Sequence, residues 1–502
     1  METEIPSKEP KWKIKNVEIL DQEYDYEKST GEKPKYEVLK REKTAVVTLI
    51  DENEIETEKA EKYGYVDKAQ VYNLIKEGKD ININRCYLEG FSWEELYKNS
   101  NQTIGNDLKI KKFEGIDSFF YNNNFINAYF ADDVNLISAF ISEDTYFFFA
   151  QFQGNANFHS VKFHGNANFN SVKFYGRAYF FSTKFFGNAY FHLAHFYLRT
   201  NFHSVYFANE TNFRAAQFKE MVNFNNTIFT GETDFAEINF SGYSFFHSAQ
   251  FFADADFTST QFSKDALFIS TQFSGNAYFS AVQFHKRVSF ETQEKNHNVV
   301  FKKEAQFKNT YFVQPALFTG TIFEIADFNG VVFKEYGSFK DCVIKKADRE
   351  TFRIIKNEFV KINNKIDAAI YHKKEMEAYS KELREDTNIL EKIPEKFIQF
   401  FNWISNIYGS NWLWGVGFTI LAGFLFFFFY NWSLTNFGCF CTENLKYFPV
   451  FLYAGHNFDF MKDALIDFKP TWLSYSFDML GRIIIGYGYY QIIQPLKKFK
   501  MW

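Results

Sequence analysis

The chain has 502 residues and a formal net charge of −5, with 68 Phe and 30 Tyr against only 8 Pro and 6 Met. The length implies more than one structural unit, and so mild a charge gives no electrostatic case for nucleic acid. Four scattered cysteines (Cys86, Cys342, Cys439, Cys441) form neither a disulfide framework nor a four-ligand zinc pattern.

Residues 1–66 are polar and rich in Lys and Glu, with one possible strand at 44–50. The opening METEIPSKEPKWK lacks the apolar stretch of a signal peptide, so the bulk of the chain is expected in the cytosol. Residues 67–120 read as a short helix and then alternating apolars, an N-terminal cap for the repeat beyond it.

From 121 to 345 Phe recurs at alternating spacings of five and six. The series runs Phe158, Phe163, Phe169, Phe174, Phe180, Phe185, Phe191, Phe196, Phe202, Phe207, Phe213 and Phe218, and continues unbroken to Phe290. Two residues before each Phe the side chain is small or β-branched, as in Ala156, Val161, Ala167, Val172 and Thr183. An eleven-residue period also suits a right-handed coiled helix. On a helix, however, neighbouring Phe would sit about 140° apart and the small residues on yet another side. Period 2 across each small-x-Phe triplet instead gives a strand with one inward face.

The triplets Ala-Asn-Phe, Ala-Tyr-Phe and Ala-Asp-Phe, each with variable residues after it, resemble the pentapeptide-repeat family. The resemblance implies a mainly β fold, a right-handed quadrilateral β-helix with Phe and the small residue pointing inward. Here one side in two carries an extra residue, so a coil takes 22 residues where four five-residue sides would take twenty. The extra residue falls at Gly-Asn pairs such as Gly154-Asn155, and both types tolerate the left-handed backbone of a bulged corner. Phe301 lies eleven after Phe290, so the charged stretch 291–298 reads as one side replaced by a loop of equal length. From Phe323 the spacing drops to five. About ten coils would make a rod near 50 Å long. Its sheet edges need covers, and 67–120 and the helix after 347 are the candidates.

Residues 346–390 carry a helical stripe, Phe352, Ile355, Phe359, Ile362, Ile366 and Ala369, and form a helical connector. Residues 391–410 suit an interfacial helix, and 411–433 a transmembrane helix bounded by Trp412 and Trp432. A non-cytosolic loop, 434–470, leads to a second span at 471–496, interrupted by Asp478 and Arg482, which lie four apart and can pair on one face. The tail, 497–502, is basic with Lys497, Lys498 and Lys500, although the loop also holds Lys446, Lys462 and Lys469. This modest bias places both chain ends inside. Gly481, Gly486 and Gly488 read as close-packing positions. Ile485-Gly-Tyr-Gly-Tyr489 is not a potassium filter, because too few residues remain after it for another span.

No nucleophile–base pair, phosphate loop or carboxylate cluster stands out, so no catalytic, cofactor or metal residue is expected. His159, His203 and His247 fall in one column two coils apart, too far to share a metal. Some pentapeptide-repeat proteins imitate DNA through an acidic face; here acid and base nearly balance across the repeat, which opposes that role. The resemblance and the membrane end together imply a bacterial inner-membrane protein. Its expected role is a non-enzymatic interaction scaffold, with the bilayer, an unidentified protein and a further copy of itself as partners. The alternative is an oligomeric two-span channel gated by the cytosolic rod. The sharpest candidate site is the intramembrane pair Asp478 and Arg482, the alternative being a pair near the outer interface where water reaches both.

Overall fold

Each Phe of the series from Phe158 to Phe290 ends or directly succeeds a two-residue strand, and four such strands make one coil. Ala156–Asn157, Lys162–Phe163, Ala167–Asn168 and Lys173–Phe174 pair in parallel with Ala178–Tyr179, Lys184–Phe185, Ala189–Tyr190 and His195–Phe196, each 22 residues later. The computed structural model describes residues 11–51, 58–100, 108–291, 298–385, 392–434, 442–458, 460 and 470–497. It divides into two compact units, Met1–Lys346 and Ala347–Trp502.

The first unit is a β-solenoid. One column holds twelve strands among the described residues, from Ile81–Asn82 to Gly337–Ser338. At 4.8 Å per rung it spans about 50–55 Å. Stacking thus begins inside the 67–120 segment, where Ile81, Ile83, Cys86, Leu88 and Phe91 are buried in place of a regular Phe series.

The core explains the composition. The twelve Phe of the repeat series from Phe158 to Phe218 are each at most 1 % exposed. Phe158 stacks on Phe180 at 4.9 Å and Phe163 on Phe185 at 4.8 Å, with near-parallel rings. Neighbouring series meet edge to face, as Phe158 and Phe169 do at 5.5 Å. Each buried ring contributes about 1.5–3 kcal/mol, and each ring pair about 0.5–1.5 kcal/mol more. Ala156 and Ala167 are fully buried beside these rings. Outward Asn157 orders the next turn: its Oδ1 accepts from the His159 N–H at 3.0 Å. The turn closes when the Val161 N–H donates to the Phe158 carbonyl at 3.1 Å. Where Thr replaces Val, its hydroxyl reaches the coil below, as Thr183 does to the Phe158 carbonyl at 2.6 Å.

The corners differ from expectation. Positive φ falls not on Gly-Asn but two residues after Phe, at Ser160, Ser171, Ser182, Leu193 and Ser204 (φ 55 to 57°). The glycines are needed for proximity instead. A Cβ on Gly176 would lie 2.1 Å from the Gly154 carbonyl oxygen, and one on Gly187 2.4 Å from that of Gly165. The asparagines form a ladder between coils: Asn155 Oδ1 accepts from the Arg177 N–H at 3.1 Å, and Asn166 Oδ1 from the Asn188 N–H at 2.9 Å.

The charged stretch near 291–298 is likewise corrected. Phe273 stacks on Phe301 at 4.7 Å and Phe290 on Phe318 at 5.2 Å, both 28 residues on instead of 22. The stretch is therefore a six-residue insertion and not a replaced side; residues 292–297 lie outside the described residues. One coil of 22 comes next, from Phe301 to Phe323, and then Phe307–Phe328 and Phe312–Phe333 close in 21.

The polar N-terminal segment folds as an antiparallel meander, β1 (Trp12–Leu20), β2 (Thr44–Asp51) and β3 (Glu58–Val66). β3 then pairs in parallel with Cys86–Glu89, so the meander covers a sheet edge of the solenoid. Ala45, Val47 and Leu49 alternate inward and bury Tyr63, Tyr87 and Phe119. Phe119 stacks on Phe140 at 4.6 Å, Phe140 on His164 at 4.2 Å, and His164 on Phe186 at 4.6 Å, an aromatic ladder outside the core.

His164 is 2 % exposed, and its Nδ1 accepts from the Trp12 N–H at 3.2 Å. Burial, with Lys162 and Lys11 nearby, pulls its pKa from 6.5 down to about 3. The unfolded chain takes up a proton below about pH 6.5 that the folded chain refuses until about pH 3. Stability is therefore lost as pH falls through that window. His164→Phe should remove on the order of 2–3 kcal/mol of the loss between pH 7.5 and 4.5, read as a flatter acid limb in urea unfolding. Identical acid limbs for variant and wild type would refute it.

The second unit is helical. α1 (Arg349–Lys361) and α2 (Lys365–Glu385) form an antiparallel pair in which Phe359 meets Tyr371 at 5.4 Å and Lys356 meets Glu375 at 2.7 Å. The chain reverses at Asn363, φ 58°, so the expected stripe splits, and Ile362 and Ile366 are exposed. α3 (Ile393–Asn406) precedes α4 (Trp412–Leu434), and short α5 (Phe448–Phe451) precedes α6 (Trp472–Lys497). Among the described residues α4 is the one helix long and apolar enough to cross a membrane. α6 packs along it. A Cβ on Gly488 would lie 2.2 Å from Thr419 Oγ1, and one on Gly481 2.7 Å from the Phe451 ring, whereas Gly486 has open space. Residues 485–489 are helical, so their carbonyls line no filter. Cys439, Cys441, Lys462, Lys469, Lys498 and Lys500 lie outside the described residues.

Candidate functional site

The two sets of residues singled out from the sequence separate in the structure. The Phe stack is core, and it leaves function to what projects from it. Asp478 and Arg482 lie one turn apart on α6, as their spacing implies, and the Arg482 Nε donates to Asp478 Oδ2 at 2.9 Å. Asp478 is fully buried, and the chain supplies a third member that the sequence alone did not point to. His456, just beyond α5, places its Nε2 2.7 Å from Asp478 Oδ1. Its Nδ1 lies 2.6 Å from the Tyr453 carbonyl.

The geometry fixes the proton count. A carbonyl only accepts, so His456 Nδ1 carries a hydrogen. A second proton must then sit between Nε2 and Oδ1, on one atom or the other, or two lone pairs would face each other at 2.7 Å. Either way the triad carries one net positive charge. The Arg482 guanidinium lies over the Phe458 ring at 4.2 Å, and its Nη2 is buried without a hydrogen-bond partner among the described residues. Phe460 and Phe451 flank the imidazole at 4.5 and 5.3 Å. The segment from α5 to His456 is thus clamped to α6, helped by the Tyr489 hydroxyl, which donates to the Leu452 carbonyl at 2.7 Å. The one signal in the sequence is a lone His in an otherwise apolar and aromatic stretch, AGHNF. Nothing in linear spacing ties it to Asp478, 22 residues on.

The outer columns of the solenoid hold a second feature. Phe149 and Leu193 occupy one corner column, at φ 59° and 56°, where the coil between them places Ser171 and the coil after Leu193 places Ala215. Bulky residues rarely adopt this backbone, yet these two are 48 % and 43 % exposed, beside exposed Tyr146. His159 and His203 lie on opposite faces of Phe181, at 4.8 and 5.3 Å, which separates them by a full ring.

Comparison with known protein families, with curated proteins and with solved structures finds no match. The regular 22-residue, Phe-rich coils are consistent with a pentapeptide-repeat-like fold, and the likeness rests on that geometry.

Proposed function

We propose that this protein is a non-enzymatic, membrane-anchored interaction scaffold whose right-handed, four-sided rod works in the bacterial cytosol. α4 and α6 cross the inner membrane as a hairpin, with both chain ends inside. Support for the second span comes from the pairing of Asp478 with His456 and Arg482, because buried charge is tolerated in a bilayer when partners meet it. At 26 residues α6 is long enough, about 39 Å. α3 exposes Phe397, Ile398, Phe400 and Trp403, as an interfacial helix does.

The observation that carries the interaction role is the corner patch of Phe149 and Leu193. A bulky side chain at positive φ is strained, and the Phe148 ring, 4.1 Å from that of Phe149, offsets only part of that cost in the free protein. A partner that buries the patch would. A photo-reactive residue at 149 or 193, in cells, should cross-link one discrete protein, whereas the same residue at exposed Gln261 should not. Equal labelling from both positions would remove the reading. The triad closes within a single chain, which favours an anchor over a pore lining; a ring-shaped oligomer that conducts in bilayers would reverse that preference.

A further inference from the structure

Beside α3 lies a cavity of about 260 Å³ lined by Leu383, Arg384, Lys396, Gln399, Phe400 and Trp403. Its chemistry is one-sided. Neighbouring acids are matched by other cations: Glu382 by Arg349 at 3.9 Å, Glu385 by Lys381 at 3.9 Å, and Glu395 by Lys392 at 3.5 Å. Arg384 and Lys396 have no ion-pair partner among the described residues. Gln399 Oε1 is buried without a hydrogen-bond donor among the described residues, while its amide faces Met376 Sδ at 3.9 Å. The Ser380 and Tyr408 hydroxyls, joined at 2.7 Å, close one side.

We propose that this cavity binds the headgroup of an anionic phospholipid that carries free hydroxyls, of the phosphatidylglycerol type. Two unmatched cations suit one phosphodiester. The acceptor on Gln399 suits a headgroup hydroxyl, which keeps its hydrogen at every physiological pH, whereas a phosphate monoester loses most of its last one as pH rises past 7. Phe400 and Trp403 supply apolar surface where the glycerol and acyl chains begin, continuous with exposed Phe397 and Ile398 on the same helix. The cavity therefore presents charge, acceptor and apolar wall in the order in which a lipid presents phosphate, hydroxyl and chains.

The inference rests on the membrane anchoring proposed above, and one experiment separates the two. Full-length protein is reconstituted into vesicles of phosphatidylcholine alone, or with added phosphatidylglycerol or phosphatidic acid, and retained lipid is read by native mass spectrometry. Insertion into all three tests the anchor; failure to insert anywhere overturns anchor and lipid site together. Given insertion, phosphatidylglycerol should be retained over phosphatidylcholine, and the double variant Arg384→Gln/Lys396→Gln should lose roughly 30-fold in that retention. The control pair Lys373→Gln/Lys381→Gln should not. Gln399→Leu should keep anionic lipid but lose the preference for phosphatidylglycerol over phosphatidic acid. Equal retention of phosphatidylglycerol and phosphatidylcholine by the wild type, or an unaffected double variant, overturns the site. Displacement of the lipid by equimolar glycerol 3-phosphate would assign it to a soluble phosphate ester instead.

Discussion

Phe191→Ala should cost the solenoid about 3–5 kcal/mol and open it from the middle. Phe191 lies between Phe169 at 5.0 Å and Phe213 at 4.6 Å, both nearly parallel to it. Phe180, Phe185 and Phe202 meet it edge on, at 5.6, 6.0 and 5.6 Å. None of these rings can move to fill the void without leaving its own stack, so the cavity stays and the cost lies toward the upper end. Coils contact only their neighbours, so damage should spread by adjacency. Hydrogen exchange should show amides of residues 160–215 losing protection together while those near 273–318 keep theirs. Uniform loss along the rod, or none, would contradict the stacked geometry. Truncating outward His159 offers the contrast, with an effect within about 0.5 kcal/mol.

Asp478→Ala should destabilise the helical unit by a similar amount, about 3–5 kcal/mol, because it strands two partners instead of one. His456 Nε2 loses its hydrogen-bond partner and the Arg482 Nε its acceptor, both inside a packed crevice. The triple variant His456→Phe/Asp478→Leu/Arg482→Met should recover most of the loss, since apolar replacement of a buried ion cluster is often neutral. Melting in detergent distinguishes these outcomes. A single variant as stable as the wild type would show that Asp478 is solvated, as a pair at the membrane surface would be. Because the clamp joins the α5 segment to α6, Asp478→Ala should also expose residues 448–458 to protease before any other described part of the second unit.

How far these features could be read from the sequence depends on their range. The Phe series and its small partners are legible because every coil imposes the same inward pattern, and a pattern repeated this often leaves only one periodicity open. The roles within the corner are not. Gly154 and Ser160 both look like turn residues, but which one takes positive φ depends on where the coil below passes. The insertion near 291–298 hid for a related reason. Eleven residues from Phe290 to Phe301 match the period by coincidence, and only the stacking partner, Phe273, shows that six residues were added.

The same division runs through the candidate sites. Asp478 and Arg482 pair because a helix brings residues four apart onto one face, a local rule that spacing alone reveals. His456 joins them only because the chain turns back after α4 and lays the α5 segment along α6. Likewise β1 to β3 look like a polar tail until β3 finds Cys86–Glu89 and gives Ala45, Val47 and Leu49 something to cover. The repeat, its inward face, the apolar helix Trp412–Leu434 and the helical charge pair are legible in linear order, because each is set by contacts along the chain or by repetition. Only the fold shows that the corner glycines are close-packed, that six residues are inserted near 291–298, that the meander covers an edge, and that the triad has a third member. Each of those depends on which distant backbone lies within a few ångströms, and no local pattern encodes that distance.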